Sequence, residues 1–423
     1  MKLLDIYRYD EKGAAHPMGQ VAINERSGQV DGRLPKNHSF HPDITNLERK
    51  KAHQDLFKAS LVDCVPDAWG KAVLAILHKL PKVGVEDVSY LPYLNNIDML
   101  VGNTVFIEAG KKLPKRVKPP ILKGKLLKGA DNLDGKEDLN LLEETLLMAM
   151  GAPPGARSKA LVTYKCKPAL AKFKSSQDEY DVLGSEYVCM KLAQACGMEV
   201  PNAYLETVSE QKVLIQERFD VPLDTPEGRY SLMSFRSAAG LTVFVEDDYS
   251  ELAALVRKYS ENVLEDVEKL YQAMIFNVAI GNTEDHHRNF SFINRGDGWQ
   301  LSPTYDVTPA YVSEALYNPV TRNHAQRFGG EFEPSKENLL ALADSFGLSH
   351  LRAQEMLLST VDHIHATIDE LTDFIDEGSR DIVVKTILEG VSILAPERPK
   401  PMSETIGDIS GHRIAPLPAG FKP

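Results

Sequence analysis

Residues 281–290, GNTEDHHRNF, put two acids, two histidines, an arginine and two asparagines directly after the apolar run AMIFNVAI. A polar cluster in that place sits at a helix end or in a loop, where backbone groups are free and side chains can converge. Nucleotide-dependent phosphoryl transfer asks for such a set: a cation on the phosphates, an acid and an amide oxygen for magnesium, and an acceptor for the proton of the attacking hydroxyl. Asn289 can offer the amide oxygen, His286 can hydrogen-bond or act as acid or base, and Glu284 or Asp285 can accept the proton. Asp306, in LSPTYDV (301–307), adds a carboxylate oxygen. Asp and Asn donors suit magnesium better than zinc. Upstream, strand alternation in ALAKFK (169–174) gives Lys172 the orientation of Leu170, so it faces inward and needs an anionic partner. A nucleotide phosphate would serve, and Glu186 on the following helix could brace the lysine by an ion pair.

A competing reading takes Asp285, His286 and His287 as metal ligands of a phosphoesterase. Consecutive histidines diverge on a helix or strand, so both join one site only from a loop. Such sites also need further Asp or His clusters, and the chain has no Asp-x-Asp; HPD (41–43) and HQD (53–55) read as a turn and a helix start.

The elements that must position these residues fall into two lobes behind a smaller unit. LLDIYRY, GQVAI and NTVFI read as short strands of an amino-terminal α/β subdomain over 1–110, with a helical stretch from Gln54 to Leu80 that Pro66 kinks. Residues 111–128, KKLPKRVKPPILKGKLLK, carry eight Lys or Arg and no acid; with GADNLDGKED they form a basic, flexible connector over 111–138. From 139 to 220 a helix (LNLLEETLLMAM), strands KALVTYK and ALAKFK, a helix from Val182 to Cys196 and a strand KVLIQERF outline an α+β lobe. Residues 221–395 read as mainly helical, with helices near 251–258, 263–280, 336–346, 350–375 and 379–392. A Pro- and Gly-rich tail follows over 396–423.

Several of these segments, in this order, resemble the HipA family of serine/threonine kinases, the toxin components of bacterial toxin–antitoxin pairs. SLVDCVPDAWGKAVL (60–74) is similar to the family's amino-terminal signature and GARSKALV (155–162) to its nucleotide loop. ALAKFK matches the strand carrying the nucleotide lysine, GSEYVCMKLAQACGMEVP (184–201) the helix behind it, and IQERFD (215–220) the hinge. GNTEDHHRNFSFI matches the catalytic loop, LSPTYDV the metal aspartate, and ENLLALADSFGLS (337–349) the carboxy-terminal segment. The resemblance implies an α+β, protein-kinase-like two-lobed core using ATP and Mg2+. In it Lys172 binds phosphate, the Glu217 and Phe219 backbone meets adenine, Asp220 lies near the ribose, Arg157 and Lys159 belong to the loop over the phosphates, and Asn289 and Asp306 hold magnesium. It further implies a helix-turn-helix antitoxin of HipB type as partner, DNA contact only through that partner, and a translation component such as an aminoacyl-tRNA synthetase as substrate.

The sequence departs from the family pattern in two places. The catalytic aspartate, five positions before Asn289, is Glu284, with Asp285 one residue later. Either Glu284 works with a shifted substrate, Asp285 takes over, or the chain is a weak kinase or a pseudokinase that acts by binding its partner. The loop position that carries a regulatory serine in many members is Ala152, with Ser158 nearby.

Composition fits this reading. With 423 residues, 43% hydrophobic and a net charge of −12, the chain is globular and its bulk surface does not suit nucleic acid. The short apolar runs and the lack of a signal-peptide core imply a cytoplasmic protein without a membrane span. Cys64, Cys166, Cys189 and Cys196 form no Cys-x-x-Cys pair and read as buried small hydrophobes.

Overall fold

The computed structural model describes residues 2–23, 30–33, 98, 100–122, 158–175, 178–241, 245–312 and 323–396, and the single positions Asp43, Leu56, Ala59, Ser60, Asp63, Cys64 and Val73. The expected helices over 54–80 and 139–150, Ala152, Arg157 and the 396–423 tail lie largely or wholly outside these residues.

The amino-terminal unit is an antiparallel sheet of β1 (Lys2–Tyr9), β2 (Ala15–Ile23), β3 (Val30–Arg33) and β4 (Thr104–Glu108), in the order β3-β2-β1-β4. Leu4 and Ile6 point into the core by simple alternation, Tyr9 is the next buried residue of β1, and a bulge in β2 leaves Met18 unpaired between the partners of Ile6 and Tyr7 and turns it inward. Buried charges join this sheet to the chain beyond it. Asp220 accepts the Gly102 N–H (2.8 Å) and pairs with Arg218 (2.6 Å), whose guanidinium also donates to the Leu100 carbonyl. Asp98 in turn takes both Arg116 (2.5 Å) and Arg229 (2.6 Å). Gly228 has no room for a side chain: a Cβ there would lie 2.0 Å from the Glu11 carbonyl oxygen.

The described half of the basic connector is docked rather than flexible. The Thr163 N–H donates to Pro120 O (2.8 Å), the Leu122 N–H returns to Thr163 O (3.2 Å), and Arg116 is held by Asp98. The sequence suggested a flexible run because its charges are dense; the contacts are made by Pro120 and Leu122 and by Arg116, one of those charges.

Burial would raise the Asp220 pKa, but Arg218 and Arg229 outweigh it and hold the carboxyl below its ordinary value. A depressed carboxylate contributes stability above its unfolded pKa of about 4 and loses it as pH falls toward the folded value. Asp220→Asn is therefore expected to cost about 2 kcal/mol at pH 7 and to flatten the fall of the melting midpoint between pH 5 and 3. Thermal melts across that range check it.

The next lobe is an antiparallel sheet of β5 (Lys159–Tyr164), β6 (Lys167–Phe173), β7 (Ala203–Val208) and β8 (Gln211–Glu217), ordered β5-β6-β8-β7, with α1 (Val182–Ala195) following β6. Tight turns at Lys165–Cys166 and Ser209–Glu210 join the hairpins, all four residues at positive φ. This is the backbone of a primed hairpin turn without its usual Asn-Gly. Cys166, expected to be buried, is exposed in the first of these turns.

The second lobe contains β9 (Ser231–Ser234), α2 (Phe235–Ala238), β10 (Asp247–Asp248), α3 (Tyr249–Tyr259), α4 (Val263–Ile280), β11 (Ser291–Asn294), β12 (Trp299–Leu301) and β13 (Gln326–Arg327). It continues with α5 (Lys336–Ala341), α6 (Ala343–Phe346), α7 (His350–Leu371), a 3-10 turn (Thr372–Phe374) and α8 (Glu377–Leu394). From Ala273 to Ile280 α4 is buried on every side, which marks it as the central helix of the lobe. It ends at Gly281, whose φ of 70° gives the left-handed C-terminal cap that only glycine adopts freely, and the polar loop begins there. Helix α8 lies so close to α4 that a Cβ on Gly390 would sit 2.3 Å from the Ala279 carbonyl oxygen. The start of α8 also reaches the other lobe. Lys212 of β8 pairs with both Asp181, the N-cap of α1, and Asp376; the Asp376 N–H donates to Asp181, and the Asp181 N–H to Ser379 Oγ (2.8 Å). Among the described residues no helix is long and apolar enough to cross a membrane.

Candidate active site

Lys172 is the centre of the site. It faces inward from β6, 5% exposed, and its ammonium lies 2.5 Å from Glu186 Oε1 and 2.6 Å from Asp306 Oδ1. Glu186 stands on the buried face of α1 and is steadied by Gln216 Nε2 (2.8 Å). Burial alone would lower the Lys172 pKa; Asp306 and Glu186 reverse this and keep the ammonium charged. Lys172 in turn holds the Asp306 carboxyl well below the carboxylate range, against burial and with help from Lys159. Lys159 was expected in the loop over the phosphates. It opens β5, directly across from Lys172 in the sheet.

Asp306 arrives from the second lobe in an unusual conformation, φ 56°, which a residue with a Cβ adopts at a cost of about 1–3 kcal/mol and which clusters at functional sites. Its neighbours fix it. The Thr304 N–H donates to Glu199 O (2.8 Å), and the Tyr305 hydroxyl donates to Arg288 O (2.8 Å) and meets Ser291 Oγ (2.5 Å). The Tyr305 ring stacks on Phe219, 5.8 Å between centroids, so the linker after β8 touches the residue beside Asp306. Sequence reading overlooked Tyr305; an aromatic ring inside an otherwise polar motif is the signal it offered.

The expected hinge residues divide. The Glu217 side chain turns toward Lys167, Tyr204 and Asn202 on the sheet, leaving its role to its backbone. The Phe219 N–H donates to no backbone carbonyl among the described residues, as a contact for an adenine edge requires. Asp220 does not fit the ribose role: 3% exposed, its oxygens are taken by Arg218 and the Gly102 N–H, so it belongs to the junction with the amino-terminal sheet.

In the polar loop the two acids separate. Glu284 is exposed, and its carbonyl accepts Asn289 Nδ2 (2.7 Å), which leaves the Asn289 amide oxygen for another partner. Asp285 is fully buried and accepts from Tyr249 Oη (2.6 Å), the Ala325 N–H (2.9 Å), the Gln326 N–H (3.2 Å) and His324 Nδ1 (3.0 Å). It has no lone pair left for a substrate proton, which corrects the expectation that it could take over as base. His287 is spent in the same way, between Asp247 (3.2 Å) and Gln326 (3.3 Å). His286 is half-buried and close enough to Asp306 to be felt electrostatically. Asp285, His286 and His287 therefore do not converge on one ion, and no group of three or more His, Cys, Asp or Glu side chains among the described residues does. The phosphoesterase arrangement is not formed.

One carboxylate and one amide oxygen suit a magnesium ion that takes its remaining ligands from water and phosphate, so the donor set of Asp306 and Asn289 fits that ion. The amino-terminal unit also touches the site's supports: Asp63 accepts both the N–H (2.8 Å) and the hydroxyl (2.6 Å) of Ser234, which pairs with Ser291 between β9 and β11.

Residues 151–368, just over half of the chain, match the family described as HipA-like C-terminal domain. The chain belongs to the HipA family. Among curated relatives, the putative kinase Y4mE of Sinorhizobium fredii (strain NBRC 101917 / NGR234) is 24% identical over 233 residues, 52% of this chain and 53% of that protein. The serine/threonine-protein kinase toxin HipA of Shewanella oneidensis is 26% identical over 209 residues, 44% of this chain and 46% of that protein. The chain thus spans about half the length of these curated relatives. Among solved structures, the Shewanella oneidensis MR-1 complex of HipA, HipB and operator DNA aligns with a TM-score of 0.70 at 18% identity, covering 92% of this chain and 96% of that one. That likeness shows the fold: the two lobes form a HipA-type, α+β, protein-kinase-like core.

Proposed function

We propose that the chain is an ATP- and magnesium-dependent serine/threonine protein kinase of HipA type. The observation that carries this is the Lys172 ammonium, buried at the junction of the lobes and held between Glu186 and Asp306. A cation fixed by one carboxylate beside a second, strained one is what placing nucleotide phosphates against a metal requires. Lys172, with Lys159 across the sheet, supplies the positive charge for the phosphates, and Glu186 keeps Lys172 from swinging away. The Glu217 carbonyl and the Phe219 N–H meet the adenine edge, and Arg157 and Lys159 border the phosphates. Asn289 and Asp306 hold magnesium, which when bound draws charge from the transferring phosphoryl group. Glu284, the exposed acid of the polar loop, accepts the proton of the substrate hydroxyl, and His286 orients the reacting groups beside Asp306.

The name of the Shewanella oneidensis relative supports a serine/threonine substrate, and the HipA–HipB–operator complex supports an antitoxin of HipB type as the partner through which DNA is met; we take that partner to be a helix-turn-helix protein. We place the chain as the toxin of such a pair, with a translation component such as an aminoacyl-tRNA synthetase as substrate.

The test is phosphate transfer from labelled ATP with magnesium, to the protein itself and to a lysate. The parent is expected to transfer, and Asp306→Asn to lower the rate by about a hundredfold or more. ATP binding without transfer in the parent would make the chain a nucleotide-binding pseudokinase that acts through its partner. Manganese-dependent phosphoester hydrolysis without ATP would overturn both.

A further inference from the structure

The four hydrogen bonds on Asp285 do more than bury an acid. The Ala325 and Gln326 N–H groups that it accepts belong to the chain on the far side of Asp306, just before and within β13. The loop backbone joins in, since Thr283 O also accepts the Ala325 N–H (3.0 Å). Glu284 is therefore the one residue between two that are pinned to the same strand end. On the other side of the carboxylate, Tyr249 opens α3 and receives Asn277 Nδ2 (3.2 Å) from the last turn of α4, while Asn277 Oδ1 accepts Asn282 Nδ2 (3.0 Å). His324 stands edge-on to Phe328, 5.1 Å between centroids, which fixes its ring plane. The acid thus ties three elements to the loop: the strand end at 324–326, the start of α3 and the end of α4.

We propose that Asp285, with His324 and Tyr249, is a positioning group for phosphoryl transfer: it fastens the chain beyond Asp306 to the loop that carries Glu284 and so sets the reach of that residue. The proposal rests on the kinase reading. A phosphate that captures this part of a kinase chain must be added after folding. Here a carboxylate encoded in the sequence, saturated by two backbone N–H groups, a tyrosine and a histidine, does the capturing, so competence does not await a modification of the captured strand end. Asp285 touches no substrate. Its effect is on orientation, and an error of about 1 Å at the reacting groups can cost around a hundredfold in rate.

Two readouts test this in the full chain. In hydrogen exchange, Asp285→Asn and His324→Ala are expected to raise the exchange of amides 323–328 and 281–290 together, with the amides of β5 and β6 unchanged. In the transfer assay the same variants are expected to lower kcat about tenfold or more, with KM for ATP within about twofold of the parent. His324→Asn, whose side-chain N–H can stand where His324 Nδ1 stands, is expected to recover most of both losses; Tyr249→Phe should fall between. Unchanged exchange at 323–328 in Asp285→Asn overturns the anchor. Raised exchange with unchanged kcat, or a kcat that falls only in step with KM and the melting midpoint, overturns its role in positioning. If the parent transfers no phosphate, the kinase reading falls and the positioning role falls with it, while the exchange data still decide whether the anchor exists.

Discussion

Glu284→Gln lowers phosphate transfer by about a hundredfold or more while ATP binding holds, and Glu284→Asp stays within about tenfold of the parent: these are the outcomes expected if Glu284 is the proton acceptor. The expectation follows from how the loop distributes its acids. Asp285 is enclosed, with every acceptor position used, whereas Glu284 is exposed and makes its fixed contact through its carbonyl, to Asn289. That contact fixes the backbone of Glu284 against a residue proposed to hold magnesium. Glutamate is one methylene longer than aspartate, so the shorter acid must bridge a small gap, with a modest penalty, while glutamine keeps the length and loses the basicity. Initial rates at saturating ATP, with nucleotide binding measured separately, check it. Full activity in Glu284→Gln would remove Glu284 from the mechanism.

Lys172→Met is expected to abolish transfer and also to destabilise the fold by about 3–5 kcal/mol, a rare size for a single change. The reason is the partner left behind. The Glu186 side chain is 3% exposed, and without Lys172 only Gln216 Nε2 among the contacts described above still donates to it. The Asp306 side chain, 41% exposed, can hydrate instead and adds less. The double variant Lys172→Met/Glu186→Gln should recover most of the stability and none of the activity, because it removes the stranded charge without restoring a cation for the phosphates. Urea denaturation of the parent and both variants separates the two effects. A single variant within about 1 kcal/mol of the parent would mean that the pair is not buried as described.

Much of the frame was legible in the sequence, and the reasons differ by element. Helix α4 could be bounded at 263–280 because its apolar run AMIFNVAI, interrupted only by Asn277, leads to a glycine and a polar loop. Strands β5 and β6 showed as apolar runs, and Lys172 drew notice because it shares the phase of Leu170; Lys159, across from it on the same face, is just as buried and carried no such mark in the sequence. Strand β7 was not legible: AYLETV carries little alternation, and its turn into β8 uses Ser209 and Glu210 at positive φ rather than glycine. The site was legible in kind but not in division of labour. That Glu284 and Asp285 would part, one to solvent and one to a buried network, depends on Tyr249 and His324, which lie 36 and 39 residues away. Asp220 misled for the same reason, since its partner Gly102 lies 118 residues upstream. Periodicity reports the side of an element a residue faces; it carries no trace of which distant backbone comes to meet it.

The fastening of α8 to both lobes has a consequence for the order in which the molecule becomes active. Lys212, Asp181 and Asp376 join the first turn of α1 to the start of α8, and Gly390 seats α8 against the end of α4. Helix α1 carries Glu186, and α4 delivers the polar loop. Residues 377–394 are made after every residue of the site. A chain still on the ribosome can thus hold Lys172, Glu284 and Asp306 and lack the piece that clamps their supports. Ribosome-bound chains that stop before residue 377 should carry a loosely assembled centre, and synthesis of α8 becomes the event that closes it.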